Sequence, residues 1–177
     1  MRKLRTCALV ILLVWSVLLC ASAAAPLTVN AKAALLADPV SGTILYAKNE
    51  HEKLPPASLT KMMTALLVLE SGKGMGETVT VSKTAMEGME NLGSSVSIRV
   101  GEEMTVEELL TMLLVASVNE TANVCAELVS GTVPQFVEKM NARAKEIGCT
   151  DTHFQNPHGL QDENHYTSAH DLYLIAR

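Results

Sequence analysis

The 177-residue chain is 48% hydrophobic and 19% charged, which suits one folded domain and excludes a disordered chain. Aromatics supply only 3%, so a core has to be assembled from Leu, Val, Ala and nine Met, and the Gly and Pro content is too low for a fibrous or low-complexity protein. Net charge is −5; setting aside Arg2, Lys3 and Arg5 leaves 11 of the 14 basic side chains against 19 acidic ones, and so acidic a body repels phosphate backbones and argues against nucleic acid as a partner.

Residues 1–25 read as an export signal. The basic start is followed by the apolar stretch Ala8 to Cys20 and then by Ala21-Ser22-Ala23-Ala24-Ala25 before Pro26. The rival is an uncleaved anchor, because Cys7 to Ala25 carries no charge; that span is at the short end for a bilayer-crossing helix, and the small residues favour cleavage. A lipoprotein reading of Cys20 is discounted because bulky Leu19 precedes it. The expectation is a secreted protein working outside the cytoplasm, with residues 26–177 as its mature part. Cys125 and Cys149 then remain, with neither CxxC nor zinc-ligand spacing, and either a single disulfide or two buried thiols is compatible with them.

Along the mature part, Ala33 to Ala37 and Thr43 to Ala47 flank Asp38-Pro39-Val40-Ser41-Gly42, which predicts a β-hairpin. Pro55-Pro56 ends that unit. Ser58 to Glu70 predicts a helix that is apolar on nearly every side and therefore buried. Thr78 to Val81 and Val96 to Val100 are candidate strands around a short helix at Ser82 to Glu90. Two S/T-x-x-E/Q capping boxes, at Thr105-Val106-Glu107-Glu108 and Thr132-Val133-Pro134-Gln135, open helices expected to reach about Ala116 and Ile147. Glu120 to Val129 is a further helix, Gly148 to Tyr166 a loop, and Thr167 or Ser168 caps a last helix.

The chemistry centres on Ser58-Leu59-Thr60-Lys61. Serine and lysine three apart on a helix share one face. Free N–H groups and the positive dipole end at the helix start stabilise a developing anion. Lys61 is the one cation on an otherwise apolar helix; desolvation would drive it toward the uncharged amine that serves as a general base, giving an activated serine for acyl transfer. The bland alternative is a capping serine and a lysine that snorkels to solvent. Ser117-Val118-Asn119 lies between two predicted helices. There Ser117 is a candidate proton relay beside Lys61 and Asn119 a candidate partner for a substrate amide, unless either merely caps the helix from Glu120.

These two elements, in this order, resemble the penicillin-recognising serine enzymes, whose set is S-x-x-K, S-x-N and K-T-G. The resemblance narrows to the D-alanyl-D-alanine carboxypeptidase (low-molecular-weight penicillin-binding protein) family. It is carried by Ala34 to Ala47, Pro55-Pro56-Ala57-Ser58-Leu59-Thr60-Lys61-Met62-Met63-Thr64, Gly93-Ser94-Ser95, Val100-Gly101-Glu102 and Thr105 to Leu110. Asn156-Pro157-His158-Gly159-Leu160 and His165 to Leu172 complete it, so the match runs through essentially the whole mature chain. Val118 and Glu120 depart mildly from the usual second motif, and no K-T-G follows; Lys83-Thr84-Ala85 precedes the second motif and lacks the glycine. In the family that third motif supplies a second oxyanion N–H, worth about 10²–10³ in rate.

The resemblance implies an α/β (α+β) fold of the β-lactamase/DD-peptidase type, a helical cluster against an antiparallel sheet, of which residues 26–177 hold the N-terminal portion. It implies Ser58 as nucleophile, Lys61 as base, Ser117 as relay and Asn119 as substrate ligand, with no cofactor. The expected partners are the D-Ala-D-Ala end of the peptidoglycan pentapeptide and β-lactam antibiotics, at the extracytoplasmic face of a bacterial envelope, with membrane association through a C-terminal tail left open. Two rivals stand beside this: a β-lactamase on the same scaffold, and an inactive fragment lacking the K-T-G strand. A metal site among His153, His158, His165 and His170 with Asp162, Glu163 and Asp171 is disfavoured, because no H-E-x-x-H or i, i+4 histidine pair occurs.

Overall fold

A computed structural model describes residues 27–89 and 98–177. The expected export segment, Gly93-Ser94-Ser95 and the first part of the expected Val96 to Val100 strand lie outside the described residues. The chain divides into two units, 1–30 and 31–177. The described part of the first, 27–30, is irregular, and everything that follows concerns the second.

The hairpin forms as expected: β1 (Ala34–Ala37) pairs antiparallel with β2 (Ile44–Lys48). Asp38 organises the turn by accepting hydrogen bonds from the Val40 N–H and the Ser41 hydroxyl. A 3₁₀ turn at Ala57–Thr60 runs directly into α1 (Lys61–Glu70). The expected helix from Ser58 is therefore two structures, and the physical reason is local. Pro56 opens the turn and Ala57 takes φ +50, which an α-helix start does not accommodate.

β3 (Thr78–Thr80) follows, then α2 (Lys83–Met86), capped by Ser82, which accepts from the Ala85 N–H. The expected strand at Val96 to Val100 is not found in its described part. Residues 98–100 are irregular and lead into a turn at Gly101, where φ is +84. The partner of β3 is instead β4 (Glu103–Thr105). Apolar spacing misled here because Ile98 is buried by packing, not by pairing.

The Thr105 capping box is present in both directions and starts α3 (Val106–Leu114). α4 (Asn119–Ser130) begins after Val118, with no side-chain cap, so neither Ser117 nor Asn119 is spent on capping. Thr132 caps α5 (Val133–Ile147) by accepting from the Gln135 N–H, with Pro134 in its first turn. Ser168 caps α6 (Ala169–Ala176).

α1 sits between two apolar clusters, which is why it lacks a wide polar face. Ala65 and Val68 pack into one cluster with Val81, Val106, Leu109, Leu113 and Val118. Met63 and Leu67 pack into the other with Phe136, Met140, Ala144 and Phe154. Cys125 and Cys149 are buried free thiols, and burial raises Cys125 to about 12 and Cys149 to about 11. No helix of the described residues is long and apolar enough to cross a membrane.

Candidate active site

The 3₁₀ turn sets the first pair of groups. With three residues per turn, positions i and i+3 eclipse, so Ser58 and Lys61 stack more directly than on an α-helix. Lys61 Nζ lies 3.3 Å from Ser58 Oγ. Its side chain does not snorkel: Lys61 is 2% exposed.

The turn between α3 and α4 delivers the second pair. Ser117 takes φ +56, a left-handed conformation that costs a non-glycine residue about 1–3 kcal/mol and is held where the surroundings enforce it. Its Oγ stands 3.3 Å from Lys61 Nζ, and Asn119 Oδ1 accepts from the same nitrogen at 2.7 Å. All four residues singled out from the sequence therefore meet at one amine. Three of them, Ser58, Lys61 and Ser117, line a cleft of about 460 Å³ together with Leu59, Met62, Leu113 and Leu114.

Sequence reasoning missed a fourth contact of this amine. Lys61 Nζ donates to the His158 carbonyl at 3.0 Å. The loop that brings it is fastened to α1 by Thr64 Oγ1, which donates to the Pro157 carbonyl at 2.6 Å. Asn156 Oδ1 accepts from the Gly159 N–H at 2.6 Å and closes the turn. Gly159 has φ +89, and a Cβ there would overlap the Ala57 carbonyl, so glycine is required for this loop to lie under the nucleophile turn. A backbone acceptor leaves no side-chain signature; the Pro157-His158-Gly159 turn text was the available hint.

The hydrogen-bond inventory of the amine has a chemical consequence. Asn119 Oδ1 and the His158 carbonyl can only accept, so they take two N–H groups whatever the charge. The remaining tetrahedral position faces the two hydroxyls. It donates to them when Lys61 is an ammonium and accepts a hydroxyl proton when Lys61 is an amine.

Burial lowers the Lys61 pKa to about 8, with the Glu120 charge working in the opposite direction. The shift runs in the expected direction, toward an amine that can serve as a base, and a value near 8 leaves ammonium and amine both available close to neutral pH. Half-buried Glu120, whose Oε2 is buried, is a second group the sequence reading passed over, having treated it as a departure from the motif.

The histidines diverge to separate partners. His165 Nδ1 accepts from the Gln155 N–H, which makes Nε2 the protonated nitrogen, and that nitrogen donates to Thr60 Oγ1 at 2.8 Å. His158 Nδ1 accepts from the Leu160 N–H, His153 Nδ1 donates to the Asn164 carbonyl, and His170 stacks on His51. Burial depresses His158 and His165 to about 4 each; the Lys61 charge adds to it at His158, whereas the Asp162 carboxylate works against it at His165. Among the described residues no group of His, Cys, Asp and Glu is placed to hold a metal ion.

Residues 20–177 match the family model described as D-alanyl-D-alanine carboxypeptidase, and the chain belongs to that family. It is 42% identical over 149 residues to D-alanyl-D-alanine carboxypeptidase DacF of Bacillus subtilis, covering 84% of this chain and 38% of that protein. With D-alanyl-D-alanine carboxypeptidase DacC of Escherichia coli it shares 36% identity, across 85% of this chain and 39% of the relative. Among solved structures, penicillin-binding protein 5 from Haemophilus influenzae superposes with a TM-score of 0.80 at 36% identity, covering 86% of this chain and 46% of that one. A Streptomyces K15 DD-transpeptidase variant gives 0.79 at 30% identity, over 85% and 61%. The fold is therefore that of the DD-peptidases and penicillin-binding proteins, and the chain spans about two-fifths of the length of the curated relatives it matches.

Proposed function

We propose that the protein is a secreted serine D-Ala-D-Ala carboxypeptidase, exported by residues 1–25, with residues 26–177 forming the N-terminal portion of its catalytic domain. The observation that carries this reading is the buried Lys61 amine with Ser58 Oγ and Ser117 Oγ each 3.3 Å away. The family membership supplies the reaction class.

In the neutral state Lys61 accepts the Ser58 hydroxyl proton as Oγ forms a bond to the carbonyl carbon of the penultimate D-Ala. The resulting oxyanion lies at the N-terminal end of the 3₁₀ turn and α1, where backbone N–H groups and the positive dipole end favour negative charge. Collapse breaks the C–N bond, and terminal D-Ala leaves with the proton that Lys61 returns through the Ser117 hydroxyl. Water then cleaves the ester and regenerates Ser58. Asn119, oriented by its bond to Lys61, would meet the stem-peptide amide at the cleft edge. A β-lactam carries the same acyl electrophile and should remain on Ser58 as an ester. No cofactor enters any step.

Intact-mass measurement after incubation with benzylpenicillin tests the proposal. A single adduct of the antibiotic's mass is expected on the parent chain and none on Ser58→Ala. A parent chain without adduct, or an equal adduct on Ser58→Ala, defeats the assignment. The lifetime of the ester separates peptidase from lactamase, since hours indicate the former and sub-second turnover the latter.

A further inference from the structure

We propose that Glu120 is a positioning residue whose carboxylate sets the ammonium–amine balance of Lys61, keeping the protonated form available to hand its proton to the leaving group. The proposal rests on the role assigned to Lys61 above. Glu120 occupies the first turn of α4, directly after Asn119, whose Oδ1 holds the amine at 2.7 Å. Glu120 Oε2 is buried and makes no hydrogen bond to any described group. An oxygen so placed is rare in native proteins and calls for an explanation other than local bonding. Its effect reaches Lys61 through space, against the effect of burial.

Two ionisable side chains are coupled to this amine from the elements around it. Glu120 comes from α4, and His158 comes from the loop that packs on α1. His158 is held at about 4 and stays neutral above pH 5, so it does not titrate in the range where Lys61 does. Ser58, Ser117 and Asn119 contribute uncharged partners. Glu120 is left as the negative charge that opposes desolvation of the ammonium. Removing it disfavours the charged form, so the lysine loses its proton at lower pH.

The test is an NMR titration of the 177-residue chain with ¹³C-labelled lysine and glutamate, Lys61 being assigned through Lys61→Arg. In the unmodified chain the Glu120 carboxyl signal should bend at the pH where the Lys61 Cε signal titrates. In Glu120→Gln the Lys61 midpoint should fall by roughly half a unit to one unit, whereas Glu120→Asp keeps it near its original value. An unmoved Lys61 midpoint in folded Glu120→Gln overturns the proposal. Should that variant not fold, the unmodified chain decides, and a Glu120 signal with no inflection at the Lys61 midpoint overturns it equally. Coupled titration in a chain that forms no penicillin ester would remove the hydrolase reading while leaving this electrostatic pairing in place.

Discussion

Replacing Gly159 by alanine isolates how the nucleophile turn is supported. Two costs are expected. The backbone there has φ +89, and a side chain in that region costs about 1–2 kcal/mol. The added Cβ also overlaps the Ala57 carbonyl and comes within 3.0 Å of Thr60 Oγ1. Because the first obstacle is backbone and cannot swing aside, the loop must lift, at a further cost of about 1–3 kcal/mol. The expected total is about 2–5 kcal/mol. With a urea slope of roughly 2 kcal/mol per M, the unfolding midpoint drops by about 1–2.5 M. Gly72→Ala supplies the control, since φ is +77 there but nothing lies within 4 Å of the new Cβ. That variant should lose about 1 kcal/mol. Lifting the loop also withdraws the His158 carbonyl from Lys61, so penicillin acylation should slow in Gly159→Ala and not in Gly72→Ala. Equal midpoints for the two variants would refute the reasoning.

Acidification should weaken the fold between pH 6.5 and 4. His158 and His165 are held near 4, so over that interval the unfolded chain binds more protons than the folded one and stability falls as pH falls. With solvent screening discounted, the two together should cost on the order of a few kcal/mol, flattening below pH 4, and urea midpoints at successive pH values would read it. Lys61 acts at the other end: its folded value near 8 lies below the ordinary 10.5, so stability should rise with pH between those values, and Lys61→Met should abolish that rise. Asp171 is fully buried and accepts from the Asp151 N–H and the Thr152 hydroxyl, each at 2.7 Å. Asp171→Ala strands the Asp151 N–H, leaves the Thr152 hydroxyl with Thr167 Oγ1 alone, and should cost about 1–3 kcal/mol by thermal or urea unfolding.

What could be read from the text alone followed local rules. The buried helix was legible because its residues are apolar all round, and the Ser58–Lys61 pairing because spacing of three brings two side chains together on any tight helix. The Thr105 and Ser168 caps were legible because a cap is a contact between near neighbours in sequence. Missed features depend on parts of the chain far from one another. The His158 carbonyl reaches Lys61 across 97 positions, and the fit of Gly159 beneath Ala57 is visible only when both are placed in space. The change from α to 3₁₀ at Ala57–Thr60 is a conformational detail that composition does not encode. At Ile98, hydrophobicity signalled burial correctly and pairing incorrectly, because a buried side chain says nothing about where its backbone hydrogen bonds go.

The central claim is that a half-neutral lysine takes the proton from Ser58, and the pH dependence of Ser58 acylation by benzylpenicillin between pH 6 and 9 tests it most directly. An amine held near 8 is roughly 1% neutral at pH 6 and half neutral at pH 8, so the rate should climb about 50-fold between them and level off above. A rate that stays flat across that range, with the ester still mapped to Ser58, would contradict it.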